Sequence, residues 1–324
     1  MQRFAAPDST EAESSLVSDT QYYLNLTPRQ LPSRYFYDAL GSALFEAICQ
    51  LPWYRITRAE QRLLSSHGRE ILSRLEPLTT LVELGPGSGE KLASLIGSGR
   101  KRRSPLTVHL VDVSAAALDL AHRTLNELDA VDVVLHEATY ETGLREVAGG
   151  HRNDGRLLTL FLGSNIGNFD RPGANAFLRS IRAALAPGDA LLIGVDLVKP
   201  EAELLLAYDD PLGVTAAFNR NLLVRINREL DADFDLDAFQ HRAVWNAEAS
   251  RVEMHLVTVG RQRVRIRRAA LDITFEDGEI IWTESSYKYR PSGIIYSLEA
   301  TGFRRLEQWT DTADGFALTL VEAM

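Results

Sequence analysis

The stretch Leu81-Val82-Glu83-Leu84-Gly85-Pro86-Gly87-Ser88-Gly89-Glu90-Lys91 reads as a short apolar strand that runs into a glycine turn and then a helix. Leu81, Val82 and Leu84 are apolar, as a strand buried on both faces requires. Gly85, Gly87 and Gly89 alternate, so the backbone can reach φ > 0 and a ligand can approach it with no Cβ in the way. Glu83, at the strand's carboxyl end, can accept a hydrogen bond from a cationic or hydroxyl-bearing group. The third glycine follows the second by two residues, which departs from G-x-G-x-x-G, and no G-K-[ST] follows to make a phosphate loop.

The next strand, 106–111, leads into Asp112-Val113-Ser114 about one βαβ unit later. An acid at the tip of a second strand is placed to hold ribose hydroxyls. E-x-G-x-G-x-G followed by this acid resembles the S-adenosylmethionine (SAM) site of the class I methyltransferases. On these two motifs alone, an ordinary doubly wound domain with no methyl donor stays open.

Composition narrows the field. The 324 residues suffice for one large core or two domains, and the formal charge of −9 has acids and bases interspersed, which argues against a nucleic-acid surface. The one dense basic run, Arg100-Lys101-Arg102-Arg103, reads as a solvated loop. A single cysteine, Cys49, excludes an internal disulfide and a cysteine-rich metal site. No apolar run is long enough to span a bilayer, so a soluble, cytoplasmic chain without a membrane partner is expected.

The rest of the chain fits an α/β architecture: a Rossmann-like class I methyltransferase sheet with a discontinuous α+β substrate-binding domain. Residues 1–18, polar and small, are expected to fray. Ser33 is a candidate N-cap for a helix striped by Tyr37, Leu40, Leu44, Ile48 and Leu51; Thr57 and Glu60 spell a capping box for the next. Strands are expected near 131–136, 157–162 and 190–196, and helices at 115–128 and 177–185. From 198 to 288 the alternation breaks. Two helical stretches, 201–208 and 215–230, precede β-branched runs at 251–259, 263–275 and 279–286, with Asp277-Gly278 as a hairpin signal between the last two. A helix over 291–301 and a strand pair, 303–309 and 316–321, close the chain. The expected division is 1–58 and 198–288 for substrate, 59–197 and 289–324 for the methyl donor.

Several motifs carry a closer resemblance. Arg34-Tyr35-Phe36-Tyr37-Asp38, Gly163-Ser164-Asn165-Ile166-Gly167-Asn168, Ala207-Tyr208-Asp209-Asp210, Thr215-Ala216-Ala217-Phe218-Asn219 and Thr283-Glu284-Ser285-Ser286-Tyr287-Lys288 closely resemble the L-histidine Nα-methyltransferases of ergothioneine biosynthesis. The resemblance implies three successive methyl transfers from SAM to the α-amine of L-histidine and its mono- and dimethyl forms, giving hercynine. It assigns the substrate carboxylate to Asn168 and Tyr208, and the imidazole to Glu284 and Ser286. Tyr54 lines the same pocket, Tyr37, Phe45 and Met254 wall it, and Gly163, Thr215 and Phe218 orient the amine, with Tyr37 a candidate proton relay. For the donor it implies Gly85, Gly87, Lys91, Asp112, Thr139 and Tyr140. Trp53 and Arg55 depart from the family's usual Pro-Glu-Tyr-Tyr segment. No metal is implied, and a monomer is expected. The rivals are the same fold acting on another aromatic amino acid, such as a tryptophan derivative, a non-catalytic SAM-binding regulator, and an NAD-dependent oxidoreductase.

Overall fold

The computed structural model describes residues 3–4, 9–99, 106–128, 131–151 and 155–324; the basic run at 100–103 lies outside them. In chain order the elements begin with β1 (Arg3–Phe4), α1 (Ser9–Tyr23), β2 (Arg29–Gln30), α2 (Ala39–Gln50) and α3 (Ile56–Ser73). The alternating part follows as β3 (Leu78–Leu84), α4 (Glu90–Gly97), β4 (Leu106–Asp112), α5 (Ala115–Leu125), β5 (Val131–Glu137), α6 (Tyr140–Gly150), β6 (Arg156–Phe161), α7 (Arg171–Ala184) and β7 (Ala190–Asp196). Then come α8 (Glu201–Tyr208), α9 (Val214–Leu230), β8 (Phe239–Asn246), β9 (Arg251–Thr258), β10 (Gln262–Ile266), β11 (Leu271–Phe275) and β12 (Ile280–Tyr287). The chain closes with α10 (Pro291–Ala300), β13 (Phe303–Asp311) and β14 (Phe316–Ala323).

Two compact units result. The first comprises Met1–Ala6, Ile56–Val198 and Lys288–Met324, and the second Pro7–Arg55 and Lys199–Tyr287. The first unit holds an eight-stranded sheet in the order β1-β5-β4-β3-β6-β7-β14-β13. All neighbours are parallel except β14, which runs antiparallel to both β7 and β13. Parallel central strands covered on both faces must be apolar throughout. Leu81, Val82 and Leu84 of β3 are fully buried, as is every residue of β7. Helix α7 turns Ala174, Phe177, Leu178 and Ile181 inward at steps of three and four, and Asp170 caps it through the Gly173 N–H, 2.7 Å. Strand order reverses at β3, whose neighbours are β4 and β6, so the glycine turn stands at the switch point where open α/β sheets bind ligands.

The second unit has the sheet β2-β12-β9-β8 and the hairpin β10-β11. Asp38 caps α2 through the Gly41 N–H, 2.8 Å, and accepts from Asn221 of α9, also 2.8 Å, tying the two helices together. Phe36 stacks on Phe218, ring centres 4.6 Å apart.

The structure corrects several local expectations. Helix α1 begins at Ser9, not beyond residue 18, because Leu16, Thr20 and Leu24, four apart, are buried. Ser33 opens a single turn of 3-10 helix, and Asp38 is the cap of α2; Leu40, expected in the stripe, is 49% exposed. The 263–275 run is two strands, broken by a turn at Arg267–Ala269, and β8 lies outside the expected strands because its apolar residues, Phe239 and then Ala243-Val244-Trp245, do not alternate. Asp277-Gly278 does not join a hairpin of β11 and β12. It turns the chain so that β12 pairs with β9, with Gly278 N–H donating to Thr258 C=O and Thr258 N–H to Glu279 C=O. No helix among the described residues is long and apolar enough to cross a membrane.

Candidate active site

In the first unit, Gly85, Gly87 and Gly89 all take positive φ, at 76°, 53° and 77°. A Cβ on Gly85 would come within 2.8 Å of the Tyr140 hydroxyl, so the turn is open because these positions lack side chains. Gly85 N–H donates to the carbonyl of Val111 at 2.9 Å, holding the turn beside the end of β4. There Asp112 Oδ1 accepts the Ser114 N–H at 2.8 Å. Burial pushes the Asp112 carboxyl up to about 6, despite that hydrogen bond. Tyr140 is the first residue of α6, and its ring meets Phe161 edge-on at 5.5 Å. Burial pushes its phenol up, so it stays neutral. Thr139 is exposed and donates to Thr142 Oγ1, 3.1 Å.

The centre of this unit's ligand edge is a residue read from sequence as half of a capping box. Helix α3 starts at Ile56, so Thr57 already lies inside it and cannot be the cap. Glu60 is fully buried, accepts the Gly163 N–H on both oxygens at 3.0 and 2.9 Å, and pairs with Lys91 Nζ at 2.7 Å. Its room comes from β7, where a Cβ on Gly194 would lie 2.0 Å from Glu60 Oε1. The signal was present: Glu60 falls among Ile56, Ala59, Leu63 and Leu64, the buried face of α3, where an unpaired acid is costly. Beside it, Glu83 is 1% exposed, and its Oε2 has no hydrogen-bond partner among the described residues. Burial pushes Glu83 up to about 8; the Lys91 charge pulls it down and the Glu60 charge pushes it further up. Gly163 has φ 74° and opens the loop that follows β6; Asn168, exposed, ends the 3-10 turn Asn165–Asn168.

In the second unit the substrate candidates form one connected lining. Tyr37 meets Phe45 at 5.7 Å and Phe218 at 5.8 Å; Phe45 meets Tyr54 at 6.2 Å, and Tyr54 meets Tyr208 at 6.3 Å. The Tyr208 hydroxyl donates to Ser286 Oγ at 2.8 Å. Thr215, buried one turn before Phe218 on α9, donates its N–H to Asp210 at 2.7 Å. On the sheet, Glu284 pairs with Met254 and Ser286 with Val252, so both polar side chains share a face. A β-bulge between Trp282 and Glu284 decides which side of β9 that face meets. Trp282 pairs with His255, so without the bulge Glu284 would stand opposite Glu253, and it and Ser286 together would face the other side of the sheet from Met254 and Val252.

The two sets have different chemistry. The glycine turn, the Asp112 carboxyl and the Lys91 cation suit a donor with ribose hydroxyls and a carboxylate. The aromatic lining with Glu284, Ser286 and Tyr208 suits a small polar ring. Among the described residues no cluster of three or more His, Cys, Asp or Glu side chains is placed to hold a metal ion.

Comparison with known proteins supplies the family. The family model described as "Histidine-specific methyltransferase, SAM-dependent" matches residues 16–323. The chain is 44% identical to the Histidine N-alpha-methyltransferase of Mycobacterium tuberculosis, over 94% of each chain. It is 40% identical to the protein of that name from Mycolicibacterium smegmatis, over 98% of this chain and 97% of the other. Ergothioneine biosynthesis protein 1 of Neurospora crassa is 28% identical over 79% of this chain and 31% of its own length. The chain belongs to the SAM-dependent, histidine-specific methyltransferase family.

Proposed function

We propose that this protein transfers three methyl groups in succession from SAM to the α-amine of L-histidine, giving hercynine as the first step of ergothioneine biosynthesis. The observation that carries this reading is the near-full-length identity of 44% to a Histidine N-alpha-methyltransferase. The donor supplies an electrophilic methyl on a sulfonium centre; everything else falls to the chain's own residues.

In the first unit, Gly85 and Gly87 admit the donor against bare backbone, Asp112 accepts its hydroxyls, and Lys91 offers a cation steadied by Glu60. Thr139 and Tyr140 are assigned to the base. In the second unit, Glu284 accepts the imidazole N–H. Ser286, 2.8 Å from the Tyr208 hydroxyl, is assigned to the other ring nitrogen. The family resemblance assigns the carboxylate to Asn168 and Tyr208, and to take it Tyr208 must turn its one O–H from Ser286 to the substrate; the same resemblance assigns the amine to Gly163, Thr215 and Phe218. Tyr37, Phe45, Tyr54 and Met254 form walls that exclude water. The amine must shed its proton before each transfer, and Tyr37 is the proposed relay. Alignment of this kind is worth roughly 7–11 kcal/mol of barrier in well-oriented systems. Each methyl leaves the ring and carboxylate anchors unchanged, so the product of one transfer rebinds in register for the next. We place the reaction in the cytoplasm, by a monomer without nucleic-acid or membrane partners.

The test is a competition. The protein is incubated with SAM and an equimolar mixture of the twenty amino acids, and mass gains are read. Histidine alone should gain methyls; a methylated tryptophan with untouched histidine would favour the rival reading.

A further inference from the structure

Behind the lining of the second unit runs a chain of buried hydrogen bonds that ends on the backbone of Tyr208. Asn219 is fully buried on α9. Its Nδ2 donates to the carbonyl of His255 at 3.1 Å and lies 2.9 Å from His241 Nδ1. Its Oδ1 accepts the hydroxyl of Thr283, the residue at the bulge of β12, at 2.7 Å. His241 Nε2 lies 2.8 Å from the carbonyl of Tyr208.

The two carbonyls at the ends of this chain fix the Asn219 amide and the His241 tautomer. The His255 carbonyl can only accept, so the Asn219 amide must present nitrogen to it. The second hydrogen of that nitrogen then faces His241 Nδ1, which must accept. The proton of the neutral ring is therefore on Nε2, where it donates to the Tyr208 carbonyl, another atom that can only accept. Tyr208 is the last residue of α8, whose terminal carbonyls lack partners within the helix. Its hydroxyl is the one that reaches Ser286.

We propose that His241, held as its Nε2–H tautomer by Asn219, is a positioning residue for the substrate: it fixes the backbone of Tyr208, while Thr283 ties the same amide to the strand that carries Glu284. This rests on the functional reading above and extends it to a residue that touches no substrate. A protonated ring would set Nδ1–H against the Asn219 N–H, two donors face to face. Relieving that clash by turning the amide would oppose Asn219 Oδ1 to the His255 carbonyl. Burial, first, and the charge of Arg220 hold His241 below its ordinary value, against Asp209 and Asp210, which favour the cation; the Asp209 carboxylate is 3.9 Å from Nε2.

The experiment compares His241→Phe, His241→Gln and His241→Asn with the wild type in melting temperature, SAM affinity by calorimetry and KM for histidine. Loss of one buried donor corresponds to about a tenfold effect. The expected result is a KM for histidine raised about tenfold in His241→Phe and His241→Asn, with SAM affinity unchanged. His241→Gln, whose amide nitrogen reaches the position of Nε2, should restore KM to within about threefold. A KM that stays at the wild-type value in His241→Phe, or a Gln variant as impaired as Phe, overturns the proposal. Should His241→Phe fail to fold, the Gln and Asn pair decides alone. Independently, 15N spectroscopy of imidazole-labelled protein should show the signal that His241→Gln removes as a neutral Nε2–H ring; an Nδ1–H or doubly protonated ring overturns it. That spectrum reads the tautomer whatever the substrate, so failure of the positioning argument is distinguishable from a wild-type enzyme that leaves histidine unmethylated.

Discussion

Glu60 Oε2 stands 2.7 Å from Lys91 Nζ, with the whole Glu60 side chain withdrawn from water. The same carboxylate holds the amide of Gly163. One acid therefore couples Lys91, the cation proposed for the donor, with the loop that opens after β6. Removing Glu60 leaves Lys91, 23% exposed, to water and the Gly163 N–H without its acceptor, at a cost of about 1–3 kcal/mol. Glu60→Ala should lower stability by about that amount and weaken SAM binding. Glu60→Gln, which keeps an acceptor for Gly163, should recover most of the stability and less of the SAM affinity. Urea unfolding and calorimetry on the two variants check this; equal SAM affinity in Glu60→Gln and wild type would show that the charge is not used.

Glu83 gives stability a pH dependence of known sign. Its carboxyl is raised from an ordinary 4.5 to about 8, chiefly by burial. Between those values the folded state holds a proton that the unfolded state releases, so the contribution is whole below about 4.5 and is lost as pH rises through about 8. The urea midpoint should fall between pH 6 and 8.5 more steeply in the wild type than in Glu83→Gln, which carries the neutral form permanently. Parallel profiles would mean that Glu83 ionises freely.

Asp112 is expected to titrate near 6 before a ligand arrives. Its ionised form is the better acceptor for ribose hydroxyls, so SAM affinity should decline as pH drops below about 6. Asp112→Ala should weaken SAM about tenfold, as loss of a hydrogen bond to a charged group does, and leave the choice of amino acid unchanged. Calorimetry at pH 5.5 and 7.5 reads both effects.

Glu284 should carry the selection of the imidazole. A hydrogen bond to a charged group contributes about 1.5–3 kcal/mol, so Glu284→Ala should weaken histidine binding by about ten- to a hundredfold without altering SAM affinity. Titrating histidine into the donor-loaded variant measures this, and wild-type affinity there would remove Glu284 from the pocket.

The alternating part of the fold was legible because buried parallel strands are continuous apolar runs punctuated by glycine, as at Leu81 to Gly85. Strand β7 matches its sequence reading end to end, and α8 does too. The short strands of the second unit were harder. In β8 the apolar residues do not alternate, and a one-residue bulge at Thr283 carries no sequence mark, though it decides which way Glu284 faces. Glu60 was misread for a related reason. A Thr–x–x–Glu spacing looks like a cap, although Glu60 shares the apolar stripe of Ile56, Ala59, Leu63 and Leu64; its partners Gly163 and Lys91 are distant in sequence. His241 and Asn219 gave no signal, since their roles come from two backbone carbonyls that sequence does not place.

The most direct measurement is a time course of L-histidine with excess SAM, followed by mass spectrometry with fragmentation to locate the added groups. The account requires one, two and then three methyls, all on the α-nitrogen, with the trimethyl product accumulating and no further gain. Methyl groups on the ring, or a reaction that stops at one, would contradict it.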